Sequence, residues 1–149
     1  RLPTEMEWMW AAMGATQDSQ PGAMQDGVNI TGYDKPFAGS NGSNAINDHV
    51  WYDGTVSNSR SRPVATKLAN ELGLHDMSGN VWEWTWDWYG SYPDGELNDY
   101  TGPATGTYRV FRGGSWYNSA AVATVAYRRS YDPYYLYFSL GFRVVVPAP

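Results

Sequence analysis

Residues 81–88, Val-Trp-Glu-Trp-Thr-Trp-Asp-Trp, constrain this chain more than any other stretch, because Trp82, Trp84, Trp86 and Trp88 alternate strictly with Glu83, Thr85 and Asp87. A period of two sends successive side chains to opposite faces of a strand. The segment therefore reads as one strand with a wholly aromatic face, expected to be plain core in preference to a binding platform. Further strands are read at 108–111, running into the Gly113-Gly114 turn, and at 141–146, ended by Pro147. Upstream, Thr4 and Glu7 have the spacing of a capping box just after Pro3. Met6, Met9, Trp10 and Met13 follow at helical spacing, and Gly14 stops the run. This predicts a short amphipathic helix whose Met and Trp stripe packs in the core. From 15 to 62, Gly, Ser, Asn and Asp dominate around the isolated Trp51 and Tyr52, which reads as long ordered loops or a partly flexible insertion.

Composition narrows the function classes. A chain of 149 residues, 42% hydrophobic and 17% charged, has the balance of one globular domain, so residues 1–149 are read as a single domain. The formal charge of -5, with few and scattered Lys and Arg, argues against nucleic acid as a partner. No apolar run reaches the roughly eighteen residues of a membrane span, so this segment is read as having none. Zero cysteines remove disulfides and thiol chemistry and leave the redox compartment undetermined. Because Arg1-Leu-Pro-Thr-Glu5 lacks an initiator Met and opens directly before a helix, the chain is expected to continue upstream, where an export signal or lipid anchor remains open.

The tract 117–140 is compositionally apart from the rest. It holds half of the chain's twelve tyrosines and no Lys, Glu, Gln, Met or Trp. Those five types are the ones that an asparagine codon, AAC or AAT, cannot reach when only its adenines are randomised. Tyr with Ser, Asn, Asp and Ala around it is also the composition of a recognition surface, since Tyr supplies rigid amphipathic area and the small polar residues adapt.

The blocks Arg-Leu-Pro-Thr-Glu-Met-Glu-Trp (1–8), Gly-Leu-His-Asp-Met-Ser-Gly-Asn-Val-Trp-Glu-Trp-Thr-Trp-Asp-Trp-Tyr (73–89), Tyr-Arg-Val-Phe-Arg-Gly-Gly-Ser-Trp (108–116) and Gly-Phe-Arg-Val-Val (141–145) stand in order along most of the chain. In this order and spacing they resemble the formylglycine-generating enzyme, or sulfatase-modifying factor, family. The resemblance implies an α+β, C-type-lectin-like fold, loop-rich with short strands and few helices. It also implies that this chain corresponds to the C-terminal part of a full family domain. Within the family, residues 113–145 resemble the variable region of diversity-generating retroelement proteins of the treponeme type, in which a Gly-Gly-Ser-Trp…Gly-Phe-Arg-Val-Val frame encloses positions diversified by adenine-specific mutagenesis.

Enzymatic readings can be weighed on the residues. In the formylglycine-generating enzymes, two cysteines after the Gly-Gly-Ser turn bind copper, and here those positions fall near Asn118 and Ala123, neither of which offers a thiolate. No copper cofactor and no enzymatic activity are expected. His49 and His75 are too few for a histidine-rich metal site and read as surface or loop-anchoring residues. No nucleophile-elbow motif supports a hydrolase triad. Asp76 and Glu83 bracket Gly79, and a tight turn of this kind can aim carbonyls and carboxylates at one point, as calcium requires. The resemblance implies the same structural calcium site, formed by the Asp76 and Glu83 side chains with the Gly79 and Val81 carbonyls. In the alternative, Asp76 caps a turn and Glu83 pairs with a buried Arg such as Arg112 or Arg143.

For the variable tract, the family fold implies that Ala120, Val125, Ala126, Arg128 and Leu140 are scaffold. The expected contact residues are Tyr117, Asn118, Ser119, Ala121, Val122, Tyr127, Arg129, Ser130, Tyr131, Asp132, Tyr134, Tyr135, Tyr137, Phe138 and Ser139. The segment around Tyr131–Phe138 fits neither a clean strand nor a helix period. The expected function is non-enzymatic: a receptor-type protein presenting a tyrosine-rich surface to a macromolecular ligand, protein or glycan, at the bacterial cell surface or on a phage particle. A formylglycine-generating-type oxidase or its inactive paralogue, and a carbohydrate-binding module, stand as the alternatives.

Overall fold

The structure is a computed structural model that describes residues 1–14, 24–25, 28–29, 36–40, 46–55, 60–95 and 99–146. Helix α1 spans Glu5–Met13 and begins as the sequence predicts. The Glu7 N–H donates to the Thr4 hydroxyl while the Thr4 N–H donates to the Glu7 carboxylate, so two orphan donors of the first turn are satisfied reciprocally. Gly14 closes the helix at φ 66°, a left-handed conformation that glycine adopts without a Cβ penalty. The buried stripe is not the expected one. Glu5, Trp8 and Ala12 face inward, Trp10 is exposed, and Met6, Met9 and Met13 are only half-buried.

Strands β1 (Met24–Gln25) and β2 (Val28–Asn29) form a small antiparallel pair, and α2 covers Ile46–His49. Much of the loop region expected over 15–62, and Pro147, lie outside the described residues. The principal sheet contains β3 (Trp82–Trp88), β4 (Arg109–Arg112), β5 (Arg128–Tyr131) and β6 (Leu140–Phe142) in the order β5-β4-β3-β6. β3 pairs antiparallel with β4 and parallel with β6, and β4 pairs antiparallel with β5. The last strand is shorter than the 141–146 expected, and β5 is a strand the sequence reading lacked, ending at Tyr131 where the segment of neither period begins. A 3-10 turn, Ala120–Val122, lies between β4 and β5. The Gly113-Gly114 turn at the end of β4 needs glycine for space as well as conformation. At Gly114, φ 71°, a Cβ would fall 2.8 Å from the Ala123 Cα.

The register assigns the two faces of this sheet. Trp84 sits opposite Phe111 on one side and Phe142 on the other, Trp82 opposite Leu140, Phe111 opposite Arg129, and Arg109 opposite Tyr131. These residues share the outer face. Glu83, Arg112 and Arg128 align across the inner face, with Val110 beside Ser130, and α1 packs there. The tryptophan face is therefore core only in part: Trp82 is buried and Trp84 and Trp88 are half-buried, but Trp86 is 55% exposed, whereas Glu83, Thr85 and Asp87 on the opposite face are all buried.

Polar residues hold the inner face because each finds a partner there, which offsets the cost of leaving water. The Glu5 carboxylate accepts from Arg128 Nε and Nη2 at 2.9 and 2.7 Å, and Arg112 Nε lies 3.3 Å away. Asp87 Oδ2 accepts the Glu5 N–H at 2.6 Å, and the Thr85 hydroxyl donates to the Val110 carbonyl. Burial pushes the Asp87 carboxyl up to about 6, with the nearby Glu5 charge adding to the effect and the bond from the Glu5 N–H opposing it. The helix is thus docked through its first residue. Trp8 fills the remaining apolar space with Ala12, Ala38, Met77 and Val125.

Candidate functional site

The outer face of the sheet carries a cavity of about 220 Å³. Its floor is Trp82 from β3, Phe111 from β4 and Leu140 from β6. Its rim is Tyr117, Asn118, Arg129, Tyr131, Tyr135 and Tyr137, all from the tyrosine-rich tract. Trp82 and Phe111 meet edge-to-face at 5.0 Å, and Phe111 meets Trp84 in the same way at 5.2 Å. This geometry, favoured by the ring quadrupoles, fixes the floor.

Above it the rings form a chain. Tyr131 contacts Tyr135 at 4.1 Å, Tyr135 stacks on Tyr137 at 5.6 Å, Tyr137 meets Phe138 at 4.1 Å, and Phe138 leads through Tyr117 to the buried Trp116. The turn that carries these rings is set locally by Asp132, whose carboxylate accepts the Tyr134 N–H and whose carbonyl accepts the Tyr135 N–H. Tyr134 at 90%, Leu136 at 91% and Phe138 at 60% exposure leave large apolar side chains open to solvent, and such exposed apolar area is what marks an interaction site.

Of the expected contact residues, Tyr117, Ser119, Ala121, Tyr127, Arg129, Tyr131, Asp132, Tyr134, Tyr137 and Phe138 are exposed, and Asn118, Val122 and Tyr135 are half-buried. Two do not fit. Ser139 is fully buried, its carbonyl accepting the Trp82 N–H, and Ser130 points to the inner face opposite Val110. Among the expected scaffold residues, Val125 is buried and Arg128 ends on Glu5, whereas Ala126 is exposed and contributes only its carbonyl, to Arg112 Nη1. Ala120 and Leu140 are half-buried. The sequence reading also missed the floor, because Trp82 and Phe111 lie outside the tract and look like ordinary core.

A second recess of about 190 Å³ on the same face is lined by Leu2, Trp84, Thr85, Trp86, Arg109 and Pro133. Arg109 lies over the rings of both Trp86 and Trp88, at 5.0 and 3.6 Å, and donates to the Trp86 carbonyl.

The calcium expectation meets a different arrangement. Arg143 donates from Nε and Nη2 to the two oxygens of Glu83, both at 2.6 Å, and Trp8 Nε1 donates to Oε2 at 2.7 Å. Asp76, at φ 57°, accepts the Ala65 N–H on Oδ2, while its Oδ1 is buried without a hydrogen-bond partner among the described residues. The same Arg143 donates to the His75 carbonyl, next to Asp76. Gly79 is buried, its N–H donated to the Gly113 carbonyl, and Val81 is half-buried. The residues therefore do not fit a calcium ion shared by Asp76 and Glu83, because a guanidinium already takes both Glu83 oxygens. Calcium is expected to leave the melting temperature unchanged relative to chelator. A calcium-dependent rise that disappears in Asp76→Ala and in Glu83→Ala would return the ion to this turn.

Neither histidine joins a metal-binding group: His75 Nδ1 lies 2.8 Å from the Lys67 carbonyl, and no cluster of three or more His, Cys, Asp or Glu exists among the described residues. Asn118, near which the resemblance puts one copper cysteine, is half-buried and accepts from the Ser115 hydroxyl, and Ala123, near which it puts the other, is fully buried. No helix among the described residues is long and apolar enough to cross a membrane.

Comparison with known proteins agrees with this architecture. The sulfatase-modifying factor enzyme 1-like domain family matches residues 1–148. The solved structure of Treponema denticola variable protein 1 superposes with a TM-score of 0.76 at 38% identity, covering 95% of this chain and 45% of that one. Chaperone protein LppX of Paenibacillus barcinonensis is 34% identical over 155 residues, 97% of this chain and 48% of its own length. The formylglycine-generating enzyme of Streptomyces coelicolor is 34% identical over 148 residues, 96% of this chain and 45% of the enzyme. The chain thus spans about half the length of these relatives. The mixed sheet, few helices and long connections are those of the C-type-lectin-like fold expected from the sequence.

Proposed function

The chain belongs to the sulfatase-modifying factor enzyme 1-like family, and from that premise we propose that it is a non-enzymatic binding protein that presents a retroelement-diversified, tyrosine-rich surface to a macromolecular ligand. One observation carries this reading. The compositionally restricted tract forms the rim of a cavity whose floor belongs to the framework, so rim side chains can change while the floor and the inner-face ion pairs stay in place. The likeness to a treponeme variable protein supports it. Against the oxidase reading stands the chemistry of the chain itself, which has no cysteine to supply a thiolate for copper. The surface of a bacterial cell or of a phage particle is the setting proposed for such display.

Two measurements test the reading separately. Incubated with copper and a Cys-containing sulfatase peptide, the purified protein is expected to form no formylglycine; turnover would remove the non-enzymatic half. The DNA around the gene is expected to contain a near-copy of the segment encoding 113–145, differing from it at template adenines, together with a reverse-transcriptase gene. Absence of both would remove the diversification half.

A further inference from the structure

The cavity on the outer face is small, polarised and incompletely partnered. At about 220 Å³ it falls below the range of roughly 300–1,000 Å³ usual for drug-sized ligands, so it suits one large side chain. Six of its lining residues are aromatic: Trp82, Phe111, Tyr117, Tyr131, Tyr135 and Tyr137. No carboxylate lines it. Asp132, the acid nearest in the tract, caps its own turn through the Tyr134 N–H.

The charged group present is Arg129. Its neighbour Arg128 is consumed by Glu5 and the Gly90 carbonyl, whereas the guanidinium of Arg129 has no hydrogen bond, ion pair or ring partner among the described residues. The amide of Asn118 is partly committed, its Oδ1 accepting from the Ser115 hydroxyl. The polar capacity left for an occupant is therefore one free cation and a few phenol hydroxyls. A pyranose ring needs many directed hydrogen bonds, and an ammonium group would meet the like charge of Arg129. A guanidinium without a partner instead favours a carboxylate, which it can hold through two parallel hydrogen bonds.

We propose that this cavity is an anchor site for a protein ligand, taking one aromatic side chain from an exposed loop with a carboxylate beside it on Arg129. The inference rests on the display reading and adds a division of labour to it. The framework floor of Trp82, Phe111 and Leu140 demands an apolar anchor from every ligand, and the tract residues around it choose the flanking chemistry. In this variant that choice, through Arg129, is an acid.

The test uses four small probes on the intact protein, with the Trp82 indole signal or intrinsic tryptophan fluorescence as readout. These are 3-phenylpropanoate, its amide, phenethylammonium and methyl β-glucoside. The carboxylate is expected to bind about tenfold more tightly than the amide, as one charge-assisted contact allows. Phenethylammonium should be weaker than the amide, and the glucoside should give no shift. Arg129→Ala should remove the preference, bringing the carboxylate down to no better than the amide. The proposal is overturned if no aromatic probe binds, if the glucoside competes equally with the carboxylate, or if the preference survives in Arg129→Ala. It can fail alone: a template copy in the DNA together with a pocket lacking this selectivity would keep the display reading and reject the anchor.

Discussion

Glu5→Gln is expected to cost about 3–5 kcal/mol of folding stability, the range found when one partner of a buried ion pair is removed. For a domain of this size the melting temperature should fall by on the order of 10 °C. The carboxylate is 1% exposed and faces the fully buried Arg112 as well as Arg128, so its loss leaves two guanidinium groups against a neutral amide. The control lies two residues along the same helix. Glu7 also forms an ion pair, with Arg1 at 2.6 Å, but both side chains are more than 40% exposed. The Arg1 guanidinium holds the Glu7 carboxyl down at about 2, yet solvent limits what such a pair contributes to about 0–1 kcal/mol. Glu7→Gln also keeps the capping box, since Gln can accept the Thr4 N–H. Thermal and urea melts of the two variants should therefore differ several-fold in cost. Equal losses would mean that the helix is held by its apolar face and not by the ion-pair network.

The second large effect concerns binding without stability. Changing Tyr117, Tyr131, Tyr134, Tyr135 and Tyr137 together to Ser is expected to weaken any peptide selected on the parent protein by more than about a hundredfold, because truncating a tyrosine hot spot costs about 2 kcal/mol or more. The fold should survive. Tyr134 is 90% exposed, Tyr117, Tyr131 and Tyr137 are exposed by 40–59%, and solvent-facing substitutions usually stay within about 0.5 kcal/mol each. Tyr135, half-buried and stacked on Tyr137, should account for most of the stability lost. By contrast Phe111→Ala, one strand below, should cost about 3–5 kcal/mol because that ring is only 5% exposed. A collapse of the melting temperature in the tyrosine variant, comparable with that of Phe111→Ala, would show that the rim belongs to the core.

Local signals in the sequence were reliable where the physics is local. Thr4, Glu7 and Gly14 define α1 through hydrogen bonds and backbone conformation within one or two turns. The alternation at 82–88 defines β3 for a similar reason, since the period of a strand is a backbone property. The sequence did not reveal which face of β3 turns inward. That depends on partners far along the chain: Arg143 for Glu83, and the Glu5 N–H for Asp87. Hydrophobicity alone ranks Trp above Glu and therefore could not show that the polar side is the fully buried one, while the tryptophan side is buried only at Trp82. The same limitation hid β5, where Arg-Arg-Ser-Tyr shows no apolar alternation because its inward residues are a paired Arg128 and Ser130. In the candidate site, the restricted alphabet pointed to the rim residues but not to the floor, whose Trp82 and Phe111 lie outside the tract on β3 and β4.

Arg128 and Arg129 are the same amino acid, adjacent in one strand, with opposite fates: one is fastened beneath the sheet and the other stands free above it. A mutagenesis that reads only the base at each position has no knowledge of side-chain direction, so if the tract is diversified as proposed, a template would have to encode the pleat. Arg128 is expected to be written there as CGC, CGT or CGG, triplets without adenine that pass through copying unchanged. Arg129 is expected to descend from AAC or AAT. Reading along β5, protected and exposed codons should then alternate as the side chains do, which would record the strand's geometry in the nucleotide sequence before any protein is made.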